Sequence, residues 1–153
     1  MRTEILRLKA ALVLTIALAG AALFPRESLA ELAVGVARDL THDTDANALV
    51  LRYDWRKYNV GSEALVWYGH RDGTNGAVTL DYNVLGFFDI PVDIDLGAAY
   101  LAKTTRINGS NLNFSLGGAV NLGPVRVFYT HFSNAGIKPP NPGWDFAGLA
   151  WRF

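Results

Sequence analysis

His131 and Ser133 stand two residues apart. In an extended segment side chains alternate with period two, so both point the same way. Asp145 follows His131 by fourteen residues, on the next strand-like run, so one hairpin can bring all three together. A hydroxyl, an imidazole and a carboxylate are the inventory of a hydrolytic triad: nucleophile, base and orienting acid. Asn134 and the backbone N–H of Gly136 come directly after the serine. They are candidates for an oxyanion hole, where one donor contributes about 3 kcal/mol. Asn141-Pro142-Gly143 supplies turn chemistry just before Asp145.

The elements that must position these residues are strands. After residue 30 there is no helical period of useful length, but eight runs of strand length separated by turn residues. In the fourth run Val78, Leu80, Tyr82 and Val84 oppose Thr79, Asp81 and Asn83. In the fifth, Val92, Ile94, Leu96, Ala98 and Tyr100 oppose Asp93, Asp95, Gly97 and Ala99. The second (Leu49 to Trp55) and sixth (Asn111 to Asn121) alternate as clearly. The first (Leu32 to Asp39), third (Ala64 to His70), seventh (Val125 to Ser133) and eighth (Trp144 to Phe153) complete the set. Asn75-Gly76, Asn108-Gly109, Gly123-Pro124 and Pro142-Gly143 read as turns between them.

The first thirty residues read as a secretory signal. Arg2, Arg7 and Lys9 precede an apolar run from Ala10 to Phe24, and Ser28-Leu29-Ala30 offers small residues for cleavage. As a membrane anchor the run is short of the ~20 residues a spanning helix needs. This divides the chain into a signal peptide, residues 1–30, and one domain, residues 31–153. Four of the fourteen basic residues and two of the fourteen acidic ones fall in the leader, leaving ten against twelve. A weakly negative domain argues against nucleic acid as a partner. With no cysteine, disulfides cannot stabilise the exported fold. Closure into a membrane barrel can, because it pairs every strand edge.

A soluble barrel or sandwich turns its apolar residues inward, and a membrane barrel inverts the same alternation. The polar sides here carry Asp, Asn, Ser and Gly, suited to a narrow lumen filled by charge pairs and hydrogen bonds. The apolar sides carry aromatics near run ends (Tyr53, Trp55, Tyr100, Trp151), and the chain ends Trp151-Arg152-Phe153. An aromatic C-terminus resembles the assembly signal of bacterial outer-membrane proteins, which makes Phe153 the expected contact with the barrel-assembly machinery. The expected fold is therefore all-β: an eight-stranded antiparallel transmembrane barrel of the outer-membrane type. The interior of so small a barrel is filled by side chains, so function must lie on its wall or loops.

Arg126 and Arg152 mark the lumen sides of the last two runs, which places His131, Ser133 and Asp145 on the lipid side. With both chain ends periplasmic, the segment from Asn134 to Gly143 lies outside the cell. The trio then sits near the outer leaflet, where the lipid is lipopolysaccharide. A charge on a lipid-facing wall costs ~2–4 kcal/mol at the midplane and less near the interface, so three polar residues there need a functional reason.

The segment from Leu112 to Phe153 resembles the C-terminal signature of the PagL family, outer-membrane lipid A 3-O-deacylases. The residues that carry the resemblance are His-x-Ser-Asn-Ala-Gly at 131–136, Asn-Pro-Gly at 141–143 and the terminal Arg-Phe. The resemblance implies hydrolysis of the ester-linked 3-hydroxyacyl chain at position 3 of lipid A, with no metal or cofactor. It implies Ser133 as nucleophile, His131 as base, and Asn134 and Gly136 as oxyanion donors. The family's acid is usually glutamate; Asp145 is one methylene shorter. That departure keeps an alternative in view, a non-enzymatic structural or adhesive barrel with a degenerate triad.

Other polar groups have plainer readings. His42-Asp43-Thr44-Asp45 is a solvated loop with too few oxygens for calcium. His70 ends a strand beside Arg71-Asp72-Gly73. Asp93 and Asp95 face the lumen, where Arg52, Arg126, Arg152 or Lys103 can pair with them. No phosphate loop, zinc spacing or nucleotide fingerprint occurs.

Overall fold

Inward and outward residues alternate along eight strands that close on themselves. The structure is a computed structural model that describes residues 30–40, 45–71, 73–88, 90–139 and 141–153. The first 29 residues of the expected leader and the His42-Asp43-Thr44 segment lie outside the described residues. The strands are β1 (Ala30–Asp39), β2 (Asn47–Trp55), β3 (Val60–Gly69), β4 (Gly73–Asn83), β5 (Val92–Leu101), β6 (Leu112–Leu122), β7 (Val125–Ser133) and β8 (Trp144–Arg152). Each pairs antiparallel with its neighbour in sequence, and β1 pairs with β8 to complete a closed barrel. A short 3₁₀ turn, Arg56–Tyr58, links β2 to β3.

The alternation sorts side chains as expected of a membrane barrel. Val36, Leu49, Leu80, Leu96, Leu112, Phe114 and Leu149 stand exposed on the outer wall, while Arg52, Glu63, Asp81, Asp95 and Arg126 are buried inside. This is the inverse of a soluble sandwich. The interior has two zones. Towards the end where β1 starts and β8 stops, it is ionic. Arg52 meets Asp54 at 2.8 Å and Asp95 at 2.9 Å, and Arg126 pairs with Asp93 and with Asp95 at 3.2 Å. Nearer the rim, Arg152 and Arg56 both pair with Glu31. Asp93 and Asp95 thus take Arg126 and Arg52, as expected, whereas Arg152 takes Glu31.

The opposite half of the lumen is aromatic: the Arg126 and Arg152 sides of the last two runs bring in Phe132, Trp144 and Phe146, and β3 adds Trp67. Trp67, Phe132, Trp144 and Phe146 are fully buried. Trp67 lies 5.0 Å from Phe146 and 5.3 Å from Trp144 between ring centres, and Trp144 stacks on Phe146. These rings plug the end of the barrel that carries the β7–β8 loop.

One expected turn moves. Asn75-Gly76 lies inside β4, and the chain reverses instead between the paired Gly69 and Gly73, with Gly73 at φ +65°. The Asn75 side chain points into the lumen, where its Oδ1 accepts the Lys103 N–H at 3.0 Å and so ties the β5–β6 loop to β4. The β6–β7 turn falls where expected: Leu122 pairs with Val125, and Gly123 supplies the positive φ that a two-residue hairpin turn demands.

Candidate active site

The β7–β8 register sets the site. His131 pairs directly with Asp145 across the hairpin. Residues directly opposite bring their Cβ atoms to ~5 Å, so the imidazole and a short carboxylate can meet without distortion. His131 Nδ1 lies 2.8 Å from Asp145 Oδ1. An ionised carboxylate only accepts, which assigns the proton to Nδ1 and leaves Nε2 as a free base. The aspartate therefore reaches its histidine despite lacking the extra methylene. The Tyr129 hydroxyl donates to the same Oδ1. Asp145 is only 7% exposed although it sits on the outer wall, while His131 keeps an open edge.

Ser133 stands two residues beyond His131 on the same face of β7. Its Oγ accepts the Asn141 Nδ2–H at 2.8 Å and the Ala135 N–H at 3.1 Å. No hydrogen bond joins Ser133 to His131 here; such contacts often tighten only once substrate is bound. Among the described residues no group of three or more His, Asp or Glu could hold a metal ion.

The loop is built from asparagines. Asn134, only 3% exposed, donates through Nδ2 to the carbonyls of Asn108 at 3.0 Å and Lys138 at 2.8 Å. Its Oδ1 accepts the Gly136 N–H at 3.0 Å. The two groups expected to stabilise an oxyanion are thus engaged with each other. Both hydrogen-bond within the loop, as a buried amide that must satisfy its own donors and acceptor does. The Asn134 backbone N–H is likewise taken, by Asn141 Oδ1 at 3.0 Å.

Asn141 is the residue that reading the sequence missed. The Asn-Pro-Gly signal was on view, but turn chemistry accounted for it, and nothing local shows that its amide turns back to Ser133. Asn108 was missed for the same reason. It is fully buried, its Oδ1 accepts the Thr105 N–H at 2.9 Å, and its carbonyl supports Asn134. Gly143 is a third such position. It has φ +81°, and a Cβ there would lie 2.5 Å from His131 Cε1 and 3.1 Å from Nε2. Its N–H is held by the Ile107 carbonyl at 3.0 Å, so the β5–β6 loop fixes a bare backbone surface against the imidazole.

A closed eight-stranded antiparallel barrel with an apolar outer wall and a lumen of ions and rings is a barrel of the outer-membrane type. The family model for PagL, lipid A 3-O-deacylase, matches residues 45–153, and the chain belongs to that family. The fold agrees with a crystal structure of the outer membrane enzyme PagL, with a TM-score of 0.53 at 18% identity, covering 80% of this chain and 98% of that one. No curated protein sequence matches the chain.

Proposed function

We propose that the chain is a serine esterase that removes the 3-O-linked 3-hydroxyacyl chain of lipid A. The observation that carries this reading is the His131–Asp145 contact of 2.8 Å on the lipid-facing wall, with Ser133 next along the same face. A water-soluble substrate would have no reason to be met there, whereas a lipid ester in the membrane would.

Ser133 Oγ attacks the ester carbonyl carbon as its proton passes to His131 Nε2. Asp145 holds the imidazole through Nδ1 and stabilises the imidazolium. The carbonyl π electrons move onto oxygen, and the Asn141 Nδ2–H, already on Ser133 Oγ, is the side-chain donor best placed to follow that charge. Collapse expels the sugar oxygen, which takes the proton from Nε2. Water then enters by the same route and releases the fatty acid. Asn134 and Gly136 act by holding the loop that presents Asn141.

The same reading places the β7–β8 loop in the outer leaflet of the outer membrane, after export through residues 1–30 and assembly through Phe153. Its rival, a structural barrel with a degenerate triad, draws on the short acid; the direct His131–Asp145 pairing speaks for the esterase.

Mass spectrometry of lipid A incubated with the folded barrel tests the proposal. Wild type is expected to remove one 3-hydroxyacyl chain, and Ser133→Ala and His131→Ala to leave lipid A intact. Equal deacylation by all three proteins would refute the triad. Unchanged lipid A with folded wild type would favour the structural barrel.

A further inference from the structure

Asp145 reaches its histidine from a wall that faces lipid. Ionised carboxylates are costly in apolar surroundings unless hydrogen-bonded. Two groups converge on its Oδ1, the His131 ring and the Tyr129 hydroxyl. Tyr129 lies on β7 two residues before His131, on the same outward face, and pairs with Ala147. It is therefore a diagonal neighbour of Asp145, a position from which a long aromatic side chain can reach. A hydroxyl donating to an ionised carboxylate makes a hydrogen bond roughly twice as strong as a neutral one.

We propose that Tyr129 is a positioning residue for the deacylation, acting through Asp145. By donating to Oδ1 it holds the carboxylate in the rotamer that meets His131 Nδ1 and leaves Nε2 turned towards the serine. The short acid is pinned between a tyrosine and a histidine on one strand, both within the hairpin that carries the nucleophile. This rests on the triad reading above. A membrane-interface aromatic would need only its ring, and the hydroxyl is what distinguishes the two roles.

Tyr129→Phe keeps the ring and removes the donor. On lipid A presented to the folded barrel, kcat is expected to fall about tenfold, as when a positioned hydrogen bond to a charged group is lost, with KM within about twofold. In an Asp145→Asn background, followed over days by mass spectrometry, the same change is expected to cost nothing further, because the hydroxyl acts only through the carboxylate. Three results would overturn the proposal: an unchanged kcat, a loss carried by KM, or the same tenfold loss with Asn at 145. If wild type itself leaves lipid A intact, the triad reading fails and takes this role with it. An active wild type matched by Tyr129→Phe removes only the role of Tyr129.

Discussion

Single atoms decide what happens at Ser133. Its Oγ is met by one side-chain amide, from Asn141, and the imidazole beside it rests on a glycine that has no room for a methyl group. Removing one oxyanion donor typically costs about 10²–10³ in kcat. Asn141→Ala is therefore expected to lower kcat for lipid A by about that factor with KM little changed, as read by initial rates of fatty-acid release. Gly143→Ala places a Cβ 2.5 Å from His131 Cε1 at a φ of +81°, so the imidazole or the loop must move. A displacement of about 1 Å at a reacting group can cost about a hundredfold. Gly143→Ala is expected to lose activity on that scale while the barrel keeps its folded mobility in unheated gels. His131, Ser133 and Asp145 were legible because two lie on one strand face and the third on the next run. Asn141 and Gly143 were not, because a loop's shape depends on which buried carbonyls it satisfies, and those belong to Asn108 and Ile107 in another loop.

The strands were legible almost residue by residue where the alternation was strict. β7 has the expected bounds, and β5 extends only to Leu101. The third run and the start of β4 were blurred by Ala64, Gly76 and Ala77, small residues that carry little alternation signal, so the turn between the two strands was misplaced. Pairing across strands brings charge together from distant segments. Arg52 of β2 faces Asp54, Asp95 of β5, and, at 3.9 Å, Glu63 of β3 and Asp81 of β4. Removing one partner of a buried ionic cluster leaves uncompensated charge and costs about 3–5 kcal/mol. Arg52→Met is expected to lower unfolding free energy by about that amount in urea titrations of the barrel in phospholipid vesicles. A loss under 1 kcal/mol would mean that water reaches the network.

At the scale of the molecule, two solvents shape the barrel. Its wall is apolar outside, and its interior is filled first by ions and then by aromatic rings, so the proposed catalytic group has only the outer surface at the plugged end to occupy. Leu96, in the middle of β5, is 47% exposed on that wall. Leu96→Arg is expected to cost about 2–4 kcal/mol in the vesicle titration, the range for an arginine at the bilayer midplane. A neutral outcome would argue that this face meets protein or water. The match of the PagL family model over residues 45–153 extends well beyond the C-terminal signature in which the resemblance was first visible.

The sequence by itself determined the strand count and which residues share a face, among them His131 and Ser133 on one run, with Asp145 on the next. These are local properties, set by the period-two geometry of an extended chain. Only the tertiary structure decided the register that sets Asp145 opposite His131, the convergence of Tyr129 on the same oxygen, and the turn of Asn141 towards Ser133. It also decided the division of the lumen into ionic and aromatic halves. A one-residue slip between strands would leave every local pattern intact and part every one of these contacts. Such contacts are fixed by ring closure and by buried hydrogen bonds summed over the whole barrel, and no window of sequence contains that sum.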